Sequence, residues 1–588
     1  MQPCLCFDLG DEVVKFGDIV HFGLLFWRQV SLLVALKKVT HPLDCLGRGL
    51  EGNNLARLRA AGEKGQKLAS EAGNLRPVQL QAKLENFFQM LAFRLHLPGQ
   101  LVGNVYCQLH WRQSTAPELS RQIRFVWNRP VPRNRRFTAL CVQFLNASCR
   151  VGADMRKFTS LILWSCCCLA ASARADWPDF RGPWFDGRAT APGQTNLLGL
   201  PLHWSETENV KWKTPIPYRG WSTPVILNGQ IWLTTATIDG HDFFAVCVDQ
   251  ETGKILFDEK IFHCDKPESL GAAVNFNCYA SPSAVLEPGR VYVNFGSYGT
   301  ACLDTATFKV LWKRDDLPCR HFRGPGSSPI LWNNLLILSL DGIDLQYMAG
   351  LDKNTGATVW KTDRTAQWND FDGNGQPMNF GDYRKAFSTP IVIDVAGGKQ
   401  LLSVGTRAAY SYDPATGREL WKLVTTAYSP ASRPIFDSGL AIFSTGNGKS
   451  EVLAARVDGH GELPGSAVVW RAARAAPSQT SGTVDNGLLY MVNESGIASC
   501  FQTADGAEVW RERIGGDYSA SLLYGDGRIY CFSRGGTSTV LKAGRAFESL
   551  ATNQLASGFM ASPAVSGRAL YLRTKTDLYR IEEGGNRQ

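Results

Sequence analysis

The run Asp370-Phe-Asp372-Gly-Asn374-Gly375 sets oxygen donors two residues apart with glycine at the turn, which is the first half of a calcium loop. The closing carboxylate at the twelfth position is missing, because Gly381 stands there, and Asp, Asn and Gly are equally the residues of ordinary turns. Histidine offers less. His203, His241, His263, His321 and His460 are scattered, without metal-ligand spacing, and no nucleophile elbow accompanies them. After residue 175 the cysteines are Cys247, Cys264, Cys278, Cys302, Cys319, Cys500 and Cys531. Cys247, Cys302 and Cys500 sit inside apolar strand patterns and read as small core residues. Cys264, Cys278 and Cys319 fall in connecting segments, and spacing leaves a Cys264–Cys278 bridge open without deciding it. The odd number leaves at least one thiol unbridged.

The larger chemical resource lies just ahead of a series of β-strand starts. Arg219 and Trp221 precede the first, Asn277 and Tyr279 the second, Phe322 and Arg323 the third. Tyr383, Arg384 and Lys385 precede the fourth, and Arg433, Gln479, Tyr518 and Phe559 mark the remaining four. Aromatic and Arg side chains offer large rigid contact area and fixed donors, which is why they recur at binding hot spots. If the strand starts converge, these residues line one end of a cationic, aromatic funnel suited to an acidic peptide, a glycan acid or a quinone carboxylate. The plainer alternative is that each stacks on its neighbour or plugs a channel.

What must position them is a repeat. Asp249-Gln-Glu-Thr252-Gly253 leading to Phe257, Asp352-Lys-Asn-Thr355-Gly356 leading to Trp360, and Asp413-Pro-Ala-Thr416-Gly417 leading to Trp421 are its fullest copies. Worn copies run from Asp304 to Trp312 and from Gln502 to Trp510. Strand starts recur at Thr223-Pro224, Ser281-Pro282, Ser328-Pro329, Thr389-Pro390, Ser432-Arg433-Pro434, near Thr480, near Ser519 and at Ser562-Pro563. After each come an alternating strand, a tight turn and a second strand, then a third strand, the Asp turn and a fourth. Eight starts over 221–580 give about 45 residues each, a length that suits a four-stranded propeller blade. The last blade lacks a terminal strand, and Asn209-Val-Lys-Trp212-Lys-Thr-Pro215 at the front supplies one, which closes the ring and removes an exposed edge. Trp212, Trp312, Trp360, Trp421, Trp470 and Trp510 are assigned to packing between neighbouring blades. The expectation is an all-β, eight-bladed propeller over 204–584, preceded by a lead-in segment, 176–203.

Charge divides the chain. The formal net charge of +9 lies wholly in residues 1–154, with 20 Lys+Arg against 11 Asp+Glu, whereas 155–588 is balanced at 42 against 42. A basic nucleic-acid surface is therefore not a property of the repeats. Met155-Arg-Lys, the apolar run 158–173 and Ala173-Arg-Ala175 have the layout of a secretory signal peptide. The run is shorter than the roughly 20 residues of a membrane span. Residues 1–154, which include an Arg-rich stretch at 121–136 and no sustained period, read as an irregular, non-native upstream extension. The alternative is a true N-terminal region with 158–175 as a signal anchor. Trp164 before Ser165 suits a lipobox badly, so lipidation near Cys166, Cys167 and Cys168 is not expected. The expected location is periplasmic or secreted, with no membrane span after residue 175.

The Asp-x-x-Thr-Gly-x-x-x-Trp copies resemble the pyrroloquinoline-quinone (PQQ)-type propeller family, over roughly 204–584. Asp176-Trp-Pro-Asp-Phe-Arg181-Gly182-Pro183 looks like the lead-in of its secreted bacterial members. No Trp-Asp dipeptide occurs, which argues against WD40 repeats. The resemblance implies one of two functions. Quinoprotein dehydrogenases hold PQQ and Ca²⁺ on the axis and carry an adjacent-cysteine disulfide. Others, such as the propeller lipoprotein of outer-membrane β-barrel assembly, keep the blades without the chemistry. Beyond residue 175 there is no Cys-Cys pair and no Cys-x-x-Cys-His haem site, and eight blades leave little length for insertions. The favoured expectation is a non-catalytic exported scaffold that binds envelope protein and needs no cofactor. The alternatives are a PQQ- and Ca²⁺-dependent alcohol or sugar dehydrogenase and a glycan-binding propeller.

Overall fold

The structure, a computed structural model, describes residues 6–8, 13–15, 105–109, 123–127, 176–194 and 196–584. The chain divides into two units, Met1–Ala173 and Arg174–Gln588. In the first, the described residues form two antiparallel pairs, Cys6–Asp8 with Val13–Lys15 and Val105–Leu109 with Ile123–Trp127. The signal-type segment and the remainder of 1–154 lie outside the described residues.

The second unit is a ring of eight antiparallel sheets. The third blade shows how the sequence builds each one. Ile330–Trp332 turns through Asn333 and Asn334 into Leu335–Asp341, which pairs with Gln346–Asp352, which pairs with Thr358–Asp363. Leu335–Asp341 is buried at every residue, whereas Thr358–Asp363 is largely exposed. The second strand is covered on both faces by adjacent blades, and the fourth forms the outer rim. The eighth blade joins the two ends of the ring. Ala564–Ser566, Ala569–Arg573 and Asp577–Ile581 are completed by Val210–Pro215, with Arg580 opposite Trp212. The surplus strand at the front fills the deficit at the back, as the sequence predicts.

The tryptophans dock one blade on the next. The Trp212, Trp312 and Trp360 indole N–H groups donate to Gln250, Lys353 and Pro414 carbonyls, at 3.2, 3.0 and 3.2 Å, in the Asp turn of the following blade. Trp470 and Trp510 do the same to Thr503 and Gly544. The turn glycine is required twice over. Gly253 and Gly356 have φ of +73° and +75°, and a Cβ on either would lie 2.7 or 2.6 Å from the indole beneath it. Where the pair is replaced, both members change. The first blade ends in Phe257, the second blade's turn carries Phe308 at the glycine place, and their rings stack at 5.2 Å.

Two features depart from the repeat. The fifth blade has no Asp-Thr-Gly turn. Its connection instead lays Gly461–Glu462 parallel to Trp421 and Lys422, so the fourth blade gains a fifth strand. Trp421 accordingly donates within its own blade, to the Gln400 side chain at 3.0 Å. The second blade's start is also displaced by two residues: Ser283, not Ser281, occupies the place of Thr223 and Ser328.

Candidate functional site

The innermost strand starts are tied to one another by a belt of hydroxyls. The backbone N–H of Thr223 donates to Ser283 Oγ, that of Ser283 to Ser328 Oγ, and that of Ser328 to Thr389 Oγ1, at 2.8 to 2.9 Å. Past the fifth blade the belt resumes from Arg433 to Ser481, then Ser521, then Ser562, at 2.9 to 3.0 Å. A small hydroxyl suits this place because it accepts the neighbour's otherwise orphaned N–H without filling the axis.

Arg433 breaks the belt, and the lead-in segment explains it. Trp177 pairs with Ile226 of the first blade, and the Pro178 carbonyl accepts from Leu286 of the second. Asp179 then forms a fully buried ion pair with Arg433 of the fifth blade. Arg181 donates to the carbonyls of Gly482 and Leu522, in the sixth and seventh blades. Five residues that touch blades on both sides of the ring must cross its axis. Arg181 itself is so deeply enclosed that burial pulls its guanidinium down to about 9. Phe180, between these two charged anchors, forms part of the floor of a cavity of about 160 Å³ on the axis.

The cavity separates the thirteen residues singled out in the sequence. Trp221, Asn277 and Gln479 line it. Arg219 lies beside it, donating to the Val274 carbonyl and stacking 5.0 Å over Trp221. Phe322, Arg323 and Tyr383 are half-buried in the loops above, with Arg323 paired to Asp382 at 2.7 Å. Tyr279, Tyr518 and Phe559 are core residues. Arg384, Lys385 and Arg433 are buried and do not line the cavity. Of the cations expected in the funnel, Arg323, Arg384 and Arg433 are neutralised by Asp382, Asp370 and Asp179, Arg219 bonds to a carbonyl beside the cavity, and the cavity lining contains no ionisable side chain. Sequence reading missed Phe180, Phe276, Phe387, Asn447 and Met560, which do line it. Only the recurrence of Ser or Thr at each strand start pointed toward the axis.

The oxygen-donor loop is also redirected. Asp370 is buried and engaged by the Arg384 guanidinium at 2.7 and 3.0 Å. Asp372 is exposed and accepts the Asn374 and Gln376 N–H groups at 2.9 Å each, an ordinary Asx turn. Among the described residues, no group of three or more His, Cys, Asp or Glu is arranged to hold a metal ion. Cys264 and Cys278 are free thiols, so the bridge left open by their spacing is not formed. Cys247, Cys302 and Cys500 are fully buried, as their strand patterns predict.

Between the third and fourth blades lies a buried contact of another kind. Lys385 Nζ lies 3.0 Å from His321 Nδ1, with Cys319 Sγ 4.0 Å from the same nitrogen. Burial pulls Lys385 down to about 8, and burial together with the Lys385 charge holds His321 well below its usual 6.5.

The face above the cavity is uneven. The connections 264–284 and 364–390 are long, and they carry Val274, Phe276, Phe371, Met378 and Phe380 exposed to solvent. Phe380 is 85 % exposed and sits at φ +57°, between Asn379 at +49° and Gly381 at +81°. Three successive left-handed residues, two of them not glycine, hold that ring out from the surface at a conformational cost.

The model of a family described as outer membrane protein assembly factor BamB matches residues 212–463 and 456–586. No curated protein matches by sequence. Solved structures match at low identity. A quinohemoprotein alcohol dehydrogenase from Comamonas testosteroni is 12 % identical with a TM-score of 0.51, over 76 % of this chain and 85 % of that one. A europium-containing methanol dehydrogenase is 10 % identical with a TM-score of 0.50, over 68 % and 89 %. BamB from Moraxella catarrhalis is 11 % identical with a TM-score of 0.44, over 63 % and 99 %.

Proposed function

The chain belongs to the PQQ-like propeller family described as outer membrane protein assembly factor BamB, and on that premise we propose that it is a non-catalytic, exported scaffold that binds protein partners of the cell envelope. The observation that carries this reading is the exposed apolar group on the loop face, above all Phe276, Phe371 and Phe380. Exposed apolar side chains gathered on loops of a rigid scaffold mark interaction surfaces. Holding Phe380 outward through strained backbone makes sense for a ring that is buried on binding.

The dehydrogenase reading has weaker support. A quinone bearing three carboxylates and its Ca²⁺ require cationic and anionic partners, and the cavity lining holds hydroxyl, amide, aromatic and small or thioether side chains with no charged one. Those residues do not fit the group. Export rests on the signal-type segment starting at Met155. Among the described residues no helix is long and apolar enough to cross a membrane.

The test is crosslinking of the tagged full-length protein in envelope preparations, comparing wild type with Phe380→Asp. We expect at least one discrete crosslinked partner that Phe380→Asp loses while its melting temperature is unchanged. An identical crosslinking pattern in the two proteins would remove the loop face from the reading.

A further inference from the structure

We propose that the axial cavity is a binding site for an uncharged, hydroxyl-rich ligand, a neutral sugar ring, sharing Phe276 alone with the exposed apolar residues of the loop face. Four belt hydroxyls, those of Ser328, Thr389, Ser521 and Ser562, line the cavity, and each accepts a backbone N–H from the preceding blade. Among the described residues none of the four donates its own proton to another protein group, so four O–H donors remain at the axis. The Asn447 side chain, also in the lining, makes no hydrogen bond to the protein, leaving a complete amide donor and acceptor set. Gln479 uses only its oxygen, accepting from Ser519 and Arg534, which leaves its NH₂.

Of these lining groups the Trp221 indole N–H is buried with no partner, Asn447 and Gln479 are half-buried, and the four hydroxyls keep a spare donor, so the donors unused around one cavity suit a ligand or water. The aromatic residues decide between them. Trp221 is 8 % exposed and its indole N–H has no partner, while Phe180 closes the floor and Phe387 stands in the wall. Aromatic faces beside hydroxyls and amides, with no charge present, match a pyranose ring, which offers apolar C–H faces and equatorial oxygens. They match bulk water poorly, because the aromatic faces return no hydrogen bonds. The volume of about 160 Å³ corresponds to roughly five waters at ~30 Å³ each, the scale of one sugar ring rather than a long chain. The lining itself holds no cation to receive a sugar acid's carboxylate; Arg534 lies behind it and is engaged by Ser519 and Gln479, and Arg219 is engaged by the Val274 carbonyl.

The experiment is calorimetric titration of the full-length protein with methyl glucoside, methyl galactoside, methyl mannoside and N-acetylglucosamine, with glucuronate as the charged control. We expect saturable binding of at least one neutral sugar and weaker binding of glucuronate. Asn447→Ala should weaken the sugar by about 5-fold, the worth of one neutral hydrogen bond, without unfolding the blade, since its side chain bonds to nothing in the protein. Trp221→Phe, which keeps a ring and removes the N–H, should weaken it similarly. Phe380→Asp should leave it unchanged, which separates failure here from failure of the protein-binding reading. Absence of binding by all four sugars, or binding that both cavity variants leave intact, would overturn the proposal. Preferential binding of glucuronate would overturn it as well.

Discussion

The two halves of the ring share one scaffold and differ in what joins the blades. Around the fifth to eighth blades the connections into the first strands are short: 425–434, 473–482, 514–522 and 555–563, nine or ten residues each. Three of them are pinned by backbone bridges to the turn beside them, at Tyr428 with Asn447, Tyr518 with Ser533 and Phe559 with Thr574. Between the first and fourth blades the connections are 264–284, 315–329 and 364–390, of 21, 15 and 27 residues. These are held mainly by side chains of one another. Arg320 pairs with Glu268 at 2.6 Å, Arg323 with Asp382 at 2.7 Å, and Asn277 donates to the Arg323 carbonyl at 2.7 Å. Backbone bridges need no particular polar side chain, so the short half depends on glycine at Gly446, Gly536 and Gly558, where a Cβ would meet backbone, and little on ion pairs. The long half buys its exposed apolar loops with specific ion pairs, and it should fail one pair at a time.

The sharpest way to break that contrast is Asp370→Ala. It leaves the Arg384 guanidinium buried without its carboxylate, and loss of one partner from a buried pair costs about 3–5 kcal/mol. Hydrogen exchange should rise across 364–385 first, ahead of the blades. In the short half, Arg534→Ala removes bonds to Ser519 and Gln479 but leaves the backbone bridge, so about 1.5 kcal/mol or less is expected. Equal losses in the two variants, measured by urea unfolding, would show that the halves are not held differently.

The same division explains what the sequence discloses. The Asp-Thr-Gly turns and tryptophans are legible because each copy solves one local problem, a glycine beneath an indole, so spacing alone reveals eight blades and the strand shared between Trp212 and Arg580. The cavity is less legible, because its lining is assembled from single residues of many blades and from a lead-in that the repeat does not include. Arg433 reads as a funnel cation until Asp179, 254 residues away, is found against it. Phe180 has no periodic partner at all. Asp370 reads as a metal ligand because its neighbours Asp372 and Asn374 have the right spacing, while Arg384, which engages it, lies beyond the motif.

A smaller effect sharpens the comparison through pH. Lys385, on the long connection 364–390, meets His321 of 315–329 in a pocket faced by Cys319, Asp341, Asp344 and Asp382. Asp341 and Asp382 already serve Arg364 and Arg323. Lys385 has a folded value of about 8 against 10.5 unfolded, so the unfolded chain holds the extra proton between them. The Lys385 contribution to stability therefore rises from pH 8 toward 10.5, by about 3 kcal/mol at most, and is absent below 8, while the buried thiols of Cys247 and Cys531, which burial holds above their usual value, take stability away above pH 9. His321 adds a second loss as pH falls below 6.5, because the unfolded chain charges and the folded one resists. Lys385→Met should remove the Lys385 contribution to the urea midpoints between pH 8 and 10.5 and shrink the acid limb, since the Lys385 charge helps to hold His321 down, while burial keeps the rest of that limb. A difference between wild type and Lys385→Met that stays constant from pH 8 to 10.5 would mean that the Lys385 ammonium is well solvated.

The smallest expected effect is the control for all of these. Lys399–Asp394 lies in the fourth blade's first hairpin, and Lys542–Glu548 at the seventh blade's outer turn, so one exposed pair sits in each half. Both are surface pairs whose Coulomb gain is screened and offset by side-chain entropy. Lys399→Ala and Lys542→Ala should each change stability by less than about 0.5 kcal/mol, with no difference between halves. The halves differ in how their connections are anchored and not in general electrostatics, so exposed charge must be neutral in both. A large loss from Lys399→Ala alone would place the sensitivity of the long half in its overall charge balance, and the specific pairs at Asp370 and Asp382 would no longer account for it.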